Sequence, residues 1–257
     1  MLKAVIFDMD DTLLSINLSA FMAVLVRAES SLIAQIGRRS PFSVLAAYSH
    51  ALLVLNQAGR GDEHTNRELF DAIIRERTGV DLADPVVGEA IDYFERAVLP
   101  EKNDRIIAAK PMPGALEALD EVRSRGLRCA LFTNPSFSRS CIGCRMGWAG
   151  IADEPFELVT VMENSRHCKP DAAYYLEGLK TMGLDPSEVL MVGNDPRRDF
   201  PSPDCGLQTA YVGSGNPVRA TWCGSMANFA KSFDEIQERF CERQEKRLLD
   251  LVQDTSR

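Results

Sequence analysis

The sequence lacks an excess of basic charge, and it lacks any uninterrupted apolar run near the ~18 residues that a membrane-spanning helix needs. We therefore expect no membrane partner. Lys and Arg number 29 against 37 Asp and Glu, which gives a formal net charge of −8. A nucleic-acid binder needs a basic face, so this balance disfavours nucleic acid as a partner. It leaves room for a cluster of carboxylates that holds a cation.

A signal peptide is also not apparent, because the apolar residues 4–7 run directly into Asp8. Seven cysteines, an odd number, are typical of reduced thiols when no signal sequence precedes them. We therefore expect a cytoplasmic protein. Cys141 and Cys144 could belong to a zinc or redox site, but no second ligand pair lies close by in the sequence, so an incidental pair is favoured.

The composition is that of an ordinary globular protein. Hydrophobic residues make up 45% and charged residues 26% of the 257 positions, which argues against disorder. This length allows one large domain, or a core domain with a smaller insert.

Short apolar runs predict buried strands at 3–7, 127–132, 157–161, 188–192 and 207–212. Helical stretches separate the later runs, at 114–125 and 171–182, and a charged amphipathic helix closes the chain at 231–254. Strands that alternate with helices predict an α/β fold, a Rossmann-like doubly wound parallel sheet with helices on both faces.

Residues 15–109 interrupt this alternation. Helical patterns follow one another there without a good strand, at 17–36, 42–58, 64–78, 85–99 and 101–109. We expect an α-helical domain inserted into an α/β core. The core then comprises residues 1–14 and 110–257, the insert comprises 15–109, and the hinges lie at 14–18 and 108–113.

The first chemically informative segment is Asp8-Met9-Asp10-Asp11-Thr12, directly after the first strand. Asp8 can attack an electrophile as a carboxylate nucleophile. Asp10 can give a proton to a leaving group and later activate water. A plain turn or helix cap would also account for this segment, since Asp and Thr favour both. Three acids after a buried strand repel one another unless a cation is present, which favours a functional role.

Three further segments follow predicted strands or precede a helix. Thr133 and Asn134 can hold a phosphate oxygen through a hydroxyl and backbone N–H groups. Lys169 can supply positive charge near an anionic substrate. Asp195 and Asp199 add carboxylate oxygens of the type that Mg²⁺ prefers. Taken singly, Thr133 could also be a plain cap, Lys169 a surface lysine, and the acids at 195 and 199 part of a simple turn.

In this combination and order, the four segments resemble the haloacid dehalogenase (HAD) superfamily, which is mostly phosphatases. The matching pattern is Asp-x-Asp-x-Thr at 8–12, a Thr that ends an apolar strand, a Lys, and an acidic turn after glycine at 193–199. The resemblance covers residues 1–14 and about 110–215. The insert at 15–109 lies where the family has its helical cap domain.

The resemblance implies a role for each matching residue. Asp8 is the nucleophile and forms an aspartyl-phosphate, and Asp10 is the general acid and base. Thr133, Asn134 and Lys169 bind the phosphoryl group, and Lys169 also offsets the charge of Asp8.

The resemblance further implies one Mg²⁺, held by Asp8, by the backbone carbonyl of Asp10 and by Asp195, with Asp199 and Asn194 supporting these ligands. Many relatives have an acid where Asn194 stands, so either Asn194 or Asp195 is the last ligand. We favour Asp195, because an anionic oxygen binds Mg²⁺ better than an amide oxygen. Asp11 stands where glycine is common, and we assign it no catalytic role.

We therefore expect a Mg²⁺-dependent phosphatase that acts on a small phosphorylated metabolite beneath a closing cap. A hydrolytic dehalogenase is disfavoured, because that branch lacks the second aspartate, present here as Asp10. A phosphonate hydrolase of this family would use a lysine of the cap to form a Schiff base. Lys102, near the end of the insert, is the only lysine there, so this activity is disfavoured. A phosphomutase or a non-catalytic ligand-binding protein on the same fold would also be compatible with these motifs. The sequence leaves monomer and homodimer equally open.

Overall fold

A five-stranded parallel sheet forms the centre of the computed structural model, which describes residues 1–61 and 63–254. Numbered along the chain, its strands are β1 (Ala4–Phe7), β4 (Arg128–Leu131), β5 (Val189–Gly193), β6 (Gln208–Val212) and β7 (Trp222–Gly224). Their order across the sheet is β4-β1-β5-β6-β7. All neighbouring pairs are parallel, so the predicted α/β class is confirmed.

Both faces of the sheet are buried, as its apolar strands predict. In β1, Val5 and Phe7 belong to one hydrophobic cluster, whereas Ala4 and Ile6 belong to the cluster on the opposite face. This alternation follows from the two-residue period of a strand. Helices cover both faces, which makes the sheet doubly wound.

The core helices predicted at 114–125, 171–182 and 231–254 lie close to those positions in the structure. The face that holds Val5 and Phe7 packs against α5 (Ala115–Ser124), α6 (Arg139–Trp148), the short α8 (Met226–Phe229) and the closing helix α9 (Phe233–Asp254). The other face packs against α7 (Ala172–Met182). Helix α7 begins where the side chain of Asp171 accepts the N–H of Ala173, and it ends at Gly183, which has a φ of 64°.

Two strand predictions differ from the structure. Residues 157–161 run beside β4 and share backbone hydrogen bonds with it, but they form only an isolated bridge between Leu131 and Val159. Strand β7 was not predicted, because its three residues at the sheet edge are too few to show an apolar pattern.

The insert is helical, with α1 (Leu18–Ile36), α2 (Pro41–Leu55), α3 (Asn66–Thr78) and α4 (Pro85–Tyr93). A π-helical turn at Phe94–Val98 and a 3₁₀ turn at Leu99–Lys102 follow α4. The predicted helix at 101–109 is wrong beyond this turn. The side chain of Asn103 bonds to both the N–H and the C=O of Ala109, at 2.9 Å each, and closes a loop instead.

A short antiparallel pair joins the insert to the core at both of its ends. Its strands are β2 (Leu14–Ser15) and β3 (Lys110–Pro111), which lie within the predicted hinge segments. The insert is also docked on the core, because its hydrophobic cluster includes Met162 and Cys168 of the core.

Helix α1 is long and apolar enough to cross a membrane by length and average composition, with a mean hydropathy of 1.3. Arg27 and Glu29 interrupt its apolar run, which is why the sequence predicts no spanning segment. Phe21, Leu25 and Ile33 are buried among other side chains of the fold. One face of the helix therefore packs into the fold.

Candidate active site

The strand order brings the predicted motifs to one edge of the sheet. Asp8 follows β1, Thr133 follows β4, and Asn194 follows β5, and β1 lies between the other two. The carboxyl ends of neighbouring parallel strands form the binding crevice of a doubly wound sheet. The expected convergence of these segments is therefore present.

At the centre of this crevice, Lys169 bridges two carboxylates. Its Nζ lies 2.6 Å from Asp8 Oδ1 and 2.7 Å from Asp199 Oδ1. All three residues are buried. One cation thus holds two aspartates from different strand ends, and it fixes the orientation of the Asp8 carboxylate.

Burial and the charge of Lys169 act in opposite directions on the pKa of Asp8. Burial is the main reason that the pKa of Asp8 rises to about 7, and the nearby carboxylates of Asp199 and Asp10 raise it further against the lowering effect of Lys169. Burial alone would lower the pKa of Lys169, but Asp199 and Asp8 together raise it above its ordinary value. The lysine is therefore a permanent cation in this crevice.

The turn after β5 holds Asp199 in place. Its Oδ2 accepts the N–H of Asp195 at 2.9 Å, and its own N–H donates to the carbonyl oxygen of Asp195 at 2.8 Å. The Asp199 carboxyl also lies against Gly193, where an added Cβ would come within 2.3 Å of it. Glycine at 193 is thus required for Asp199 to reach Lys169.

Thr12 connects the first and last motifs. Its hydroxyl lies 3.3 Å from Asp8 Oδ2 and 3.3 Å from Asn194 Oδ1. The hydroxyl has one proton, and the two oxygens are both acceptors. Sequence reasoning counted Thr12 as part of the motif but gave it no role.

Asp195, the favoured metal ligand at the sequence level, is turned toward its own loop. Its Oδ1 accepts the N–H of Arg197 at 2.9 Å, and its Oδ2 lies 3.9 Å from Arg198 Nε. Its side chain is 40% exposed. Asn194 and not Asp195 makes the contact toward Asp8, through Thr12.

The segment after β4 is held by polar contacts. The carbonyl oxygen of Thr133 accepts hydrogen bonds from Thr160 Oγ1 at 2.7 Å and from the Tyr174 hydroxyl at 2.9 Å. The side-chain oxygen of Asn134 accepts the backbone N–H of Lys169 at 3.1 Å. Asn134 lines the cavity described below, whereas Thr133 is buried and is not among the lining residues.

A buried arginine, missed by sequence reasoning, lies beside Asp10. The guanidinium of Arg145 forms an ion pair with Asp10 Oδ1. It also stacks on two rings, 5.0 Å from the centroid of Phe21 and 4.9 Å from that of Phe137. The sequence does contain a signal that Arg145 is buried, because it follows Cys141 by one helical turn on the apolar face of α6.

A cavity of about 290 Å³ opens above the aspartates. Its floor contains the acids and Lys169, and helices α1 and α2 of the insert form its roof. The lining residues are Asp8, Asp10, Asp11, Leu18, Met22, Leu52, Asn56, Asn134, Ser136, Phe137, Lys169, Asn194, Asp195, Arg198 and Asp199.

The cysteine pair shows no sign of a second site. Cys141 and Cys144 are both free thiols on α6. Burial raises the pKa of Cys144 to about 12 and that of Cys141 well above its ordinary value, which opposes the thiolate that metal binding and redox exchange need.

The structure thus places the buried carboxylate of Asp8 directly after β1, at the edge of the sheet where the strand ends meet and beneath a helical insert. The chain belongs to the haloacid dehalogenase-like hydrolase family, whose sequence profile matches residues 2–202. The chain is therefore an enzyme of the hydrolase type, and the curated proteins similar to it include phosphatases.

Two curated relatives span most of the chain. The glyceraldehyde 3-phosphate phosphatase of Methanocaldococcus jannaschii is 24% identical over 217 residues, covering 84% of this chain and 86% of that protein. The N-acetylmuramic acid 6-phosphate phosphatase of Pseudomonas aeruginosa is 26% identical over 223 residues, covering 83% of each chain. The crystal structure of a HAD phosphatase from Thermococcus onnurineus shares the fold, with a TM-score of 0.55 and 17% identity over 90% of this chain and 98% of that one.

Proposed function

We propose that the protein is a Mg²⁺-dependent phosphatase that hydrolyses a small phosphorylated metabolite through an aspartyl-phosphate on Asp8. The observation that carries this proposal is the contact of 2.6 Å between Asp8 Oδ1 and Lys169 Nζ at the floor of the cavity. The relatives act, by their names, on phosphate esters of small molecules, which supports the same class of substrate here.

In the first step, a carboxylate oxygen of Asp8 attacks the phosphorus of the ester. The new bond joins this oxygen to phosphorus, and the bond from phosphorus to the ester oxygen breaks. Asp10, in its protonated form, gives its proton to that departing oxygen, so that the leaving group departs as a neutral alcohol. Lys169 offsets the negative charge that Asp8 and the phosphoryl oxygens bring together.

In the second step, Asp10 acts as a base. It takes a proton from a water molecule, whose oxygen attacks the phosphorus of the aspartyl-phosphate. The bond between phosphorus and the Asp8 oxygen breaks, inorganic phosphate leaves, and Asp10 is protonated again. A phosphomutase would instead return the phosphoryl group to a hydroxyl, so release of inorganic phosphate separates the two activities.

The donor set suits Mg²⁺ when amide and carbonyl oxygens are counted. Among residues 1–61 and 63–254, no three His, Cys, Asp or Glu side chains are grouped as a metal cluster. Asp8 Oδ2 and Asn194 Oδ1, however, approach the same hydroxyl of Thr12 at 3.3 Å each. Five aspartates and two cations line the cavity, which favours a hard divalent cation.

We assign the metal to Asp8, to the backbone carbonyl of Asp10, and to Asn194 or Asp195. The contact of Asn194 toward Asp8 favours Asn194, in contrast to the preference for Asp195 from charge alone. When bound, Mg²⁺ supplies positive charge to the phosphoryl oxygens.

The test is turnover of p-nitrophenyl phosphate with Mg²⁺, measured as released inorganic phosphate. Asp8→Asn is expected to lower kcat by at least about 1,000-fold, because the nucleophile is lost. Asp153→Asn is the control, since Asp153 is exposed and distant from the cavity lining. A folded wild-type protein without turnover on a broad panel of phosphate esters would favour a binding protein.

A further inference from the structure

The roof of the cavity is almost entirely apolar. Leu18 and Met22 of α1, together with Leu52 of α2, form it, and Phe137 of the core adds a ring at its side. The floor is where the phosphoryl group meets Asp8 and Lys169 in the proposed function. The roof is therefore what the rest of the substrate, the leaving group, must contact.

The polar side chains at the wall already have partners. Asn56 Nδ2 donates to the carbonyl of Leu52 at 2.8 Å and to Ser136 Oγ at 3.1 Å. Asn134 Nδ2 donates to Asn56 Oδ1 and to Ser136 Oγ, at 2.9 Å each. These bonds join the insert to the core and leave few free donors or acceptors for a hydroxyl-rich ligand.

Among the described residues that line the cavity, the insert contributes no cation. Arg60, on the loop after α2, does not line the cavity and donates to Asn66 Oδ1 and to the carbonyl of Arg166, at 2.6 Å each. On the core side, Lys169 is held by Asp8 and Asp199, and Arg198 lies beside Asp195.

The acids of the floor make the cavity still less suited to a negatively charged leaving group. Asp10, Asp11 and Asp195 line the same cavity. A carboxylate or a second phosphate on the leaving group would meet these acids and an apolar roof. Burial of a charge without a partner costs far more than burial of an uncharged group.

We propose that the leaving group of the substrate is small and uncharged, and that its apolar part packs against Leu18, Met22 and Leu52. Phosphocarboxylates and bisphosphates are then poor substrates. This inference rests on the proposed phosphatase function, because it takes the Asp8 end of the cavity as the phosphoryl site.

The experiment compares esters of matched carbon skeleton, one of which has a carboxylate on its leaving group and the other an uncharged group. Glyceraldehyde 3-phosphate is paired with 3-phosphoglycerate, and 2-hydroxyethyl phosphate is paired with phosphoglycolate. In each pair we expect kcat/KM to be at least about tenfold higher for the uncharged leaving group, since the carboxylate would meet the acids of the floor and an apolar roof. An equal or higher kcat/KM for the two carboxylates would overturn the inference.

A matched pair of variants tests the roof itself. Leu52→Arg introduces a cation into the cavity, whereas Leu53→Arg introduces it on the outer face of the same helix, where Leu53 is 69% exposed. We expect Leu52→Arg to lower the preference for the uncharged ester of each pair and Leu53→Arg to leave it unchanged. A Leu52→Arg preference equal to that of Leu53→Arg would also overturn the inference.

The two proposals fail in distinguishable ways. Turnover of p-nitrophenyl phosphate that depends on Asp8, combined with a preference for the carboxylate esters, would overturn the leaving-group inference alone. A folded protein that turns over neither p-nitrophenyl phosphate nor any of the four esters would overturn the proposed phosphatase function and, with it, the inference.

Discussion

The guanidinium of Arg145 and the carboxylate of Asp10 form an ion pair beneath the insert. Arg145 is fully buried, and its nitrogens make no hydrogen bond of normal geometry among the described residues. The pair is therefore held by charge and by the rings of Phe21 and Phe137 on which the guanidinium stacks. Phe21 belongs to the insert, so the orientation of Asp10 depends on both domains.

We expect Arg145→Met to lower kcat for alkyl phosphates by about 10- to 100-fold, because Asp10 loses the cation that orients it for proton transfer. The loss should be smaller for p-nitrophenyl phosphate, whose leaving group departs readily without a proton. Arg145→Lys should recover part of the kcat. Arg139→Met, an exposed change on the same helix, is the control. An equal loss on both ester types would instead indicate a structural role, which thermal unfolding would also report.

The two candidate metal ligands after β5 can be separated by titration with Mg²⁺. Because Asn194 Oδ1 approaches the hydroxyl that contacts Asp8, we expect Asn194→Ala to raise the Mg²⁺ concentration for half-maximal activity by at least about tenfold. Asp195→Ala should raise it less, since Asp195 Oδ1 accepts the N–H of Arg197. The reverse order of the two shifts would restore Asp195 as the ligand.

A pair of buried carboxyl groups makes stability depend on pH. Glu95 and Glu29 lie side by side, and burial, with the neighbouring charge of Glu29, raises the pKa of Glu95 to about 9. The Tyr48 hydroxyl donates to Glu29 at 2.7 Å, and Ser138 donates to Glu95. The other titratable groups near the pair are Arg67 and Cys141.

The folded protein therefore keeps a proton on Glu95 that the unfolded chain has lost above its ordinary pKa of 4.5. This contribution to stability is complete below that pKa and is lost as the pH rises through about 9. We expect Tm to fall between about pH 5 and pH 9, and Glu95→Gln, which keeps a donor toward Glu29, to fall less. Scanning calorimetry checks this, with the exposed Glu101→Gln as control. Parallel curves for wild type and Glu95→Gln would contradict the assignment.

Asn66 ties the insert to the core from a fully buried position. Its Nδ2 donates to the carbonyls of Pro135 at 3.0 Å and His167 at 3.3 Å, and its N–H donates to Ser165 at 2.8 Å. Asn66→Ala leaves buried acceptors without partners and should cost about 1–3 kcal/mol of stability.

The same variant should also lower kcat/KM, because Asn66 holds the two segments that position Asn134 and Lys169. Pro135 follows Asn134, and His167 lies two residues before Lys169. Thermal unfolding and steady-state kinetics of Asn66→Ala, compared with the exposed Asn228→Ala, check both effects. A wild-type Tm for Asn66→Ala would show that these bonds contribute nothing.

The parts of the site that follow strand ends could be predicted from the sequence. Asp8 and Asn134 each follow a run of apolar residues, and parallel strands bring such ends together whatever the intervening chain does. Their convergence therefore needed no knowledge of the insert, whereas the place of Lys169 in the site came from the resemblance to the family.

Other features depend on contacts that no local pattern encodes. Arg145 meets Asp10 only because α6 packs against the chain that follows β1, and the apolar roof exists only because Leu52 and Met22 line the same cavity. The choice between Asn194 and Asp195 depends on a turn in which one of them bonds to its own backbone. The error in the helix predicted at 101–109 has a similar cause. The side chain of Asn103 bonds to the backbone of Ala109, in place of the hydrogen bonds that a helix would make.

The most direct test of the account is chemical trapping of the intermediate on Asp8. Sodium borohydride, added during turnover of p-nitrophenyl phosphate, reduces an acyl phosphate and converts that aspartate to homoserine. Peptide mass spectrometry should then find homoserine at position 8, in an amount that depends on substrate. Substrate turnover with an unmodified Asp8, or with homoserine at another aspartate, would contradict the assignment of Asp8 as the nucleophile.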